Sequence, residues 1–257
     1  MWSSGLVSII MLSRNGGRFA EQSVRSVMAQ TYTNWELLFY APYSKDSIVS
    51  RMMELKDQDA RIQVFQVVEQ EKELSRNMGL REAKGRWIAF LDGGDLWEPE
   101  KLERQIDFME NHHYYFSYTK YEKLDLFLWM RGAIFGGPKK LTRDDIIRCC
   151  WPGYLTVMYD AREVGQIQIE DLRYNNDYAL WLKVCEKADC YLLPECLAKL
   201  RTPQSNIVQY LLTDKLNWRY RVYRKILGRG VFISILMTLR NLYYATLKRV
   251  KYVSKRR

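Results

Sequence analysis

The sequence predicts an α/β fold with a mostly parallel central sheet flanked by helices. Three observations lead there. Short apolar runs alternate with helix-spaced segments of roughly 10–15 residues through the first half of the chain, the pattern of βαβ units. The run Trp87–Leu91 is apolar without interruption, as in a strand buried on both faces. Right-handed crossovers then favour a sheet with helices on both sides.

The elements follow in order. Leu6–Leu12 is a β-branched apolar run and the first strand, ending in the turn Ser13–Gly17. Phe19–Gln30 spaces Ala20, Val24, Val27 and Met28 as one helix face. Trp35–Ala41 is the second strand, Ser47–Lys56 a helix with Ile48, Met52 and Leu55 on one side, and Ile62–Val68 the third strand. A helix over Glu73–Lys84 stops at Gly85, and the strand at Trp87 follows. That strand runs into the acidic turn Asp92-Gly93-Gly94-Asp95, after which Glu98-Pro99-Glu100 is expected to open a helix. Further on, strands are expected at Tyr114–Tyr121 and Leu155–Asp160. Thr142 is positioned to cap a helix through Cys149, with Asp145 three residues on. Asn175 or Asn176 caps a helix over Asp177–Lys187. Two short strands, Tyr191–Leu193 and Leu197–Leu200, flank Pro194, and from Ile207 the chain reads as helical to its end, broken at Gly228-Arg229-Gly230.

Composition narrows the function classes. The five cysteines, Cys149, Cys150, Cys185, Cys190 and Cys196, form no CxxC pair and no zinc pattern, so free thiols in a reducing compartment are expected. The two histidines, His112 and His113, are adjacent in a polar stretch, which argues against histidine catalysis. No basic start or small-residue cleavage site marks residues 1–12 as a signal peptide. The net charge of +10 is uneven: Lys215–Arg257 holds 13 basic residues and no acidic one, leaving 27 basic against 30 acidic residues before it. A slightly acidic body with no basic-aromatic stripe argues against nucleic acid as a partner. The basic tail calls for an acidic surface.

The loop after a central parallel strand is where α/β proteins place ligands. Two aspartates there can hold a divalent cation, and a cation can hold a diphosphate; ordinary solvated acids are the bland alternative. Five blocks occur in a fixed order: Val7-Ser8-Ile9-Ile10, Ser26–Leu37 (SVMAQTYTNWEL), Ser75-Arg76-Asn77-Met78-Gly79, Gly85–Asp92 (GRWIAFLD) and Asn176–Leu182 (NDYALWL). Together, over about residues 5–205, they resemble the family 2 glycosyltransferases of the GT-A fold, in particular bacterial enzymes of cell-surface polysaccharide assembly. The resemblance implies a nucleotide-sugar donor bound over the first sheet by Ser13, Asn15, Arg76, Asp92 and Gly93. It implies a Mg²⁺ or Mn²⁺ ion held by Asp92 and Asp95. It implies inverting displacement at the anomeric carbon with Asp177 as general base; helix capping is the alternative role for Asp177, but Asn175 and Asn176 are available for it. It divides the chain into a glycosyltransferase domain, residues 1–205, with a donor half (1–110) and an acceptor half (111–205), followed by a helical basic tail, 206–257.

The sequence departs from the family pattern at three places. Where the family carries Asp-Asp-Gly-Ser after the second strand, this chain has Ala41, Pro42, Tyr43 and Ser44, with Asp46 following. The first strand ends Leu12-Ser13-Arg14-Asn15 instead of Pro-x-Tyr-Asn, and Gly94 replaces an acid of the metal motif, so that Asp95 would have to substitute through the freedom of the glycine turn. Two readings stay open: an active transferase with an unusual donor pocket, or a non-catalytic relative that binds or scaffolds such enzymes. The tail also has two readings. Val231–Leu239 is too short an apolar run to span a bilayer. It can lie in the interface of an anionic membrane, placing the protein on the cytoplasmic face near a lipid-linked glycan acceptor. Otherwise it packs on the body as an ordinary terminal helix.

Overall fold

The computed structural model describes residues 3–13, 19–42, 48–67, 75–124, 132–169, 176–201 and 212–255. Its first half is the expected parallel unit. Strands β1 (Ser3–Leu12), β2 (Trp35–Pro42), β3 (Ile62–Val67) and β4 (Gly85–Asp92) alternate with helices α1 (Ala20–Met28), α2 (Ile48–Gln58) and α3 (Ser75–Glu82). The spatial order is β4-β1-β2-β3, all parallel. The chain thus reverses its direction of strand addition at β1, which opens a crevice between the carboxyl ends of β1 and β4.

Both faces of these strands are buried, as the uninterrupted apolar runs required. On β4, Ile88 and Phe90 enter one core, while Trp87, Ala89 and Leu91 enter the other. The second core is closed by α1, α2 and α4 (Lys101–His112) through Val24, Val27, Met52, Leu55, Leu102 and Met109. The first core is closed by α3 and by elements of the second half, including Ile146, Tyr178, Leu180 and Trp181. Full burial of each large side chain is worth about 1.5–3 kcal/mol, which is why the apolar spacing located these helices.

The second half departs from an all-parallel sheet. Beyond β4 come β9 (Val157–Asp160) and then β6 (Phe116–Leu124), antiparallel to each other, with β9 also antiparallel to β4. Short strands that the sequence did not announce complete it: β5 (Leu96–Trp97), β7 (Ala133–Phe135) and β8 (Lys140–Leu141). Leu155 falls in a 3₁₀ turn, Tyr154–Thr156, rather than in the strand expected there. The acids Glu98 and Glu100 precede α4 instead of lying inside it, because β5 and a turn intervene. Helix α5 (Arg143–Arg148) carries the expected capping box: Asp145 N–H donates to Thr142 Oγ1 at 3.3 Å and Thr142 N–H to Asp145 Oδ2 at 3.0 Å. A single helical turn, α6 (Ala161–Val164), follows β9. Helix α7 (Asn176–Val184) ends before Lys187; its last carbonyls are taken in tighter turns such as Lys187 N–H to Val184 O at 3.0 Å.

The two short strands expected around Pro194 are one strand, β10 (Cys190–Arg201). It pairs parallel with β6, and the register slips between Leu193 and Ala198. Proline lacks the N–H of a ladder, and the slip accommodates it without ending the strand. After α8 (Leu212–Arg221), a π-helical turn (Val222–Ile226) and a break at Gly228, helix α9 spans Val231–Lys251. The chain does not stay helical: β11 (Val253–Lys255) pairs antiparallel with β7 and stitches the tail to the sheet edge. None of the five cysteines is disulfide-bonded.

Candidate active site

The β1–β4 register sets Leu12 beside Asp92, so the residues that follow, Ser13 and Gly93, meet in the crevice. The Gly93 N–H donates to the Leu12 carbonyl at 2.8 Å, and the buried Ser13 donates its own N–H to Tyr40 O at 2.8 Å. Asp92 is buried and receives Arg76 Nη2 on its Oδ1 at 2.7 Å. The Arg76 guanidinium lies 3.6 Å from the centre of the Tyr154 ring and is 1% exposed. A charge pair so far from water survives only with good geometry and further contacts, which the aromatic face supplies. Among the described residues, Arg76 Nη1 is buried without a hydrogen-bond partner, a cationic donor left over for an anionic ligand.

Sequence explains why Arg76 sits there. A Cβ on Gly79 would lie 2.7 Å from Ile10 Cγ2, so only glycine lets α3 approach β1 this closely. Arg76, one turn earlier, is thereby pressed onto the end of β4. The neighbouring Asn77 does separate work: it donates to Ile169 O at 2.7 Å and accepts from Ile169 N–H at 2.6 Å. It thus ties down the segment that leads towards α7.

The Gly93–Asp95 turn is braced from two sides. Gly94 adopts φ +116°, a conformation that side chains rarely take, and its N–H donates to Ser23 Oγ of α1 at 2.8 Å. Asp95 Oδ1 accepts from the Arg201 N–H at 2.9 Å. Arg201, the last residue of β10, also donates Nε to Gly94 O at 3.0 Å and Nη2 to Gln22 Oε1 at 2.8 Å, with its guanidinium over Phe19. Ala41, which stands where the family has an acid, is a wholly buried residue of β2. Pro42 ends that strand; Asn15, Tyr43, Ser44 and Asp46 lie outside the described residues.

Asp177 occupies the first turn of α7, half-buried, where its Oδ1 accepts the Tyr178 N–H at 2.8 Å. It lines a cavity of about 320 Å³ together with Cys150, Trp151, Gly153, Arg219 and Lys248, among others. Burial pushes the Cys149 thiol up and the Cys150 thiol well up, in Cys150 with the Asp177 carboxylate adding to it, which disfavours the thiolate at both. The crevice and this cavity are linked through packed side chains and the segment 150–154. Tyr154, stacked under Arg76, packs against Trp181 of α7 at 5.4 Å, and Trp181 Nε1 donates to Pro152 O at 3.2 Å. The structure therefore brings Ser13, Arg76, Asp92 and Gly93 together, sets Asp95 against Arg201, and joins Asp177 to them through segment 150–156.

No group of three or more potential metal-ligating side chains occurs among the described residues. The two carboxylates are still the right chemistry for Mg²⁺ or Mn²⁺, which take oxygen ligands and commonly rely on one or two carboxylates plus substrate phosphates. One oxygen of each is engaged by an arginine, so a diphosphate and water would have to supply most of the ligands.

Sequence reasoning missed Arg201 and Tyr154, and gave Asn77, quoted within the block Ser75–Gly79, no role of its own. Arg201 ends a strand that also carries Lys199, so nothing local singled it out, and its partner lies 106 residues away.

Comparison with known proteins fits this geometry. TuaG of Bacillus subtilis strain 168, a glycosyltransferase named for teichuronic acid biosynthesis, is 34% identical over 204 residues, covering 79% of this chain and 81% of TuaG. The Escherichia coli UDP-Glc:alpha-D-GlcNAc-diphosphoundecaprenol beta-1,3-glucosyltransferase WfgD is 34% identical over 182 residues, 70% of this chain and 69% of WfgD. Among solved structures, S. aureus TarS 1-349 in complex with UDP-GlcNAc superposes with a TM-score of 0.69 at 16% identity, over 92% of this chain and 71% of that one. The mannosyltransferase PcManGT of Pyrobaculum calidifontis, in complex with GDP-Man and Mn²⁺, gives 0.59 at 12% identity, over 94% of this chain and 75% of that one. These likenesses place the fold in the GT-A class. The family model described as Glycosyl transferase family 2 matches residues 8–161. With that match and the relatives' identity over most of its length, the chain belongs to glycosyl transferase family 2.

Proposed function

We propose that this glycosyltransferase moves a sugar from a nucleotide donor to a saccharide carried on a lipid diphosphate, with inversion, at the cytoplasmic face of the membrane. The single observation that carries the reading is the buried Arg76–Asp92 pair at the β1–β4 crevice, joined by Tyr154 and Trp181 to the cavity of Asp177. One part suits a leaving diphosphate and the other an incoming hydroxyl. The retained pair and Asp177 favour activity over a purely scaffolding role. On this reading residues 1–110 bind donor, 111–205 bind acceptor, and the basic tail meets the membrane.

Asp177 accepts the proton of the acceptor hydroxyl as its oxygen bonds to the anomeric carbon. The bond from that carbon to the diphosphate oxygen breaks on the opposite face, and its electron pair stays with the nucleoside diphosphate. Arg76, with an N–H to spare, binds the developing charge, and Asp92 fixes the guanidinium in place. Ser13 and Gly93 floor the donor site, and Asn15, two positions on in the sequence, is assigned to the same donor. A Mg²⁺ or Mn²⁺ ion held by Asp92 and Asp95 would add charge neutralisation on the diphosphate. WfgD, named for a UDP-Glc donor and an undecaprenyl-diphosphate acceptor, sets the first substrates to try. The test is to incubate the full chain with UDP-sugars and a lipid-diphosphate GlcNAc acceptor, with Mg²⁺, with Mn²⁺ or with chelator. UDP release coupled to a product of inverted anomeric configuration is expected. Donor binding without transfer to any acceptor would favour the scaffolding reading.

A further inference from the structure

Helix α9 is folded inside out. Its apolar residues Phe232, Ile235, Leu236, Leu239 and Tyr243 are 46–73% exposed, and Leu247 continues the ridge. The stripe turned to the body is instead Ser234, Thr238 and Asn241, all buried, with the partly buried Met237 beside them, and then Ala245 and Lys248. That stripe is satisfied without solvent. Ser234 Oγ donates to Gly230 O at 2.9 Å, Thr238 Oγ1 to Ser234 O at 2.7 Å, and Lys248 Nζ to Trp151 O at 2.6 Å. Asn241 Nδ2 faces the Tyr178 hydroxyl at 3.4 Å. A terminal helix packing for stability alone would turn its leucines inward. Here the body takes the polar face and leaves a contiguous apolar ridge outside, the mark of an interaction surface.

Charge selects the occupant. The 43 residues from Lys215 hold 13 bases and no acid, so a second copy of this surface would be repelled, whereas an anionic lipid surface would be attracted. No helix among the described residues is long and apolar enough to cross a membrane, which leaves a helix lying in the interface plane. The inner stripe then acquires a meaning. Asn241, Ala245 and Lys248 line the same cavity as Asp177. We infer that α9 is a partition with its outer ridge seated in an anionic bilayer and its inner face walling the acceptor cavity, which holds Asp177 about one helix diameter, ~10 Å, from the lipid. This rests on the lipid-linked acceptor proposed above and adds which face touches lipid and why the cavity lies beneath it.

The test uses the full chain and a triple variant, Phe232→Ser, Leu236→Ser and Leu239→Ser, none of which lines the cavity. Partition onto vesicles of phosphatidylglycerol mixed with phosphatidylcholine should fall about 100-fold in the variant, since each side chain gives up burial. The wild type should bind pure phosphatidylcholine far more weakly than the mixture. Transfer to a vesicle-embedded lipid-diphosphate acceptor should fall with partition, while transfer to a short-chain soluble acceptor stays unchanged, which also shows that the variant folds. Equal partition of the two proteins overturns the inference, as does a wild type that self-associates through this ridge in sedimentation velocity and ignores vesicles. Normal, ridge-dependent partition with no transfer to either acceptor sinks the proposed reaction and leaves the lipid-facing surface standing.

Discussion

The two sides of the candidate site are built on different principles. On the proposed donor side the described groups are cross-braced: Arg76 by Asp92 and Tyr154, Asp95 by the backbone of Arg201, and Gly94 by Ser23 and Arg201 together. On the proposed acceptor side Asp177 stands in the first turn of a helix, half-buried, at the edge of a cavity walled in part by α9. The difference follows the chemistry each side is asked to do. Holding a diphosphate needs donors fixed before charge develops, and fixing them takes burial. Accepting a proton from a hydroxyl needs room for the acceptor and a carboxylate near water.

Three substitutions break or sharpen that contrast. The largest effect is expected from Asp177→Asn, an isosteric change that removes only basicity. Turnover should fall about 10²–10⁴-fold with the melting temperature nearly unmoved. Near-native transfer rates in this variant would end the assignment of Asp177 as base.

Arg76→Ala should behave in the opposite manner. It strips Asp92 of a buried partner and empties the space over Tyr154, so it should cost about 3–5 kcal/mol of stability, read by denaturant unfolding, and weaken donor binding as well. If stability barely changes, the donor side is not braced as described, and the contrast between the two sides fails.

The smallest effect is expected at Gly94. Gly94→Asp restores the acid of the family motif, and a Cβ there meets nothing within 4 Å, so space is no obstacle. The obstacle is the backbone, at φ +116°, which should cost about 1–3 kcal/mol. Manganese binding measured by calorimetry should tighten about tenfold while the protein melts earlier. Superimposable titrations of the two proteins would mean that position 94 does not face a metal.

What was legible before the structure was whatever a local pattern encodes. The parallel β1–β4 unit, its doubly buried strands, the Thr142 capping box and the residues of the crevice could be read because burial has a period and caps have a chemistry. The glycine that ends the block Ser75–Gly79 lets the helix touch the sheet, which sets Arg76 at the end of β4. Sequence also set the charge of the tail, which depends on composition alone. What it left open was every relation between distant segments. Arg201 reaches Asp95 across 106 positions, Tyr154 slides under Arg76, and β10 runs on through Pro194 because a register slip absorbs the missing N–H. The apolar run Val231–Leu239 left open whether its apolar side packs on the body or faces out. Only the packing of Ser234, Thr238 and Asn241 against the body decided that this side faces out.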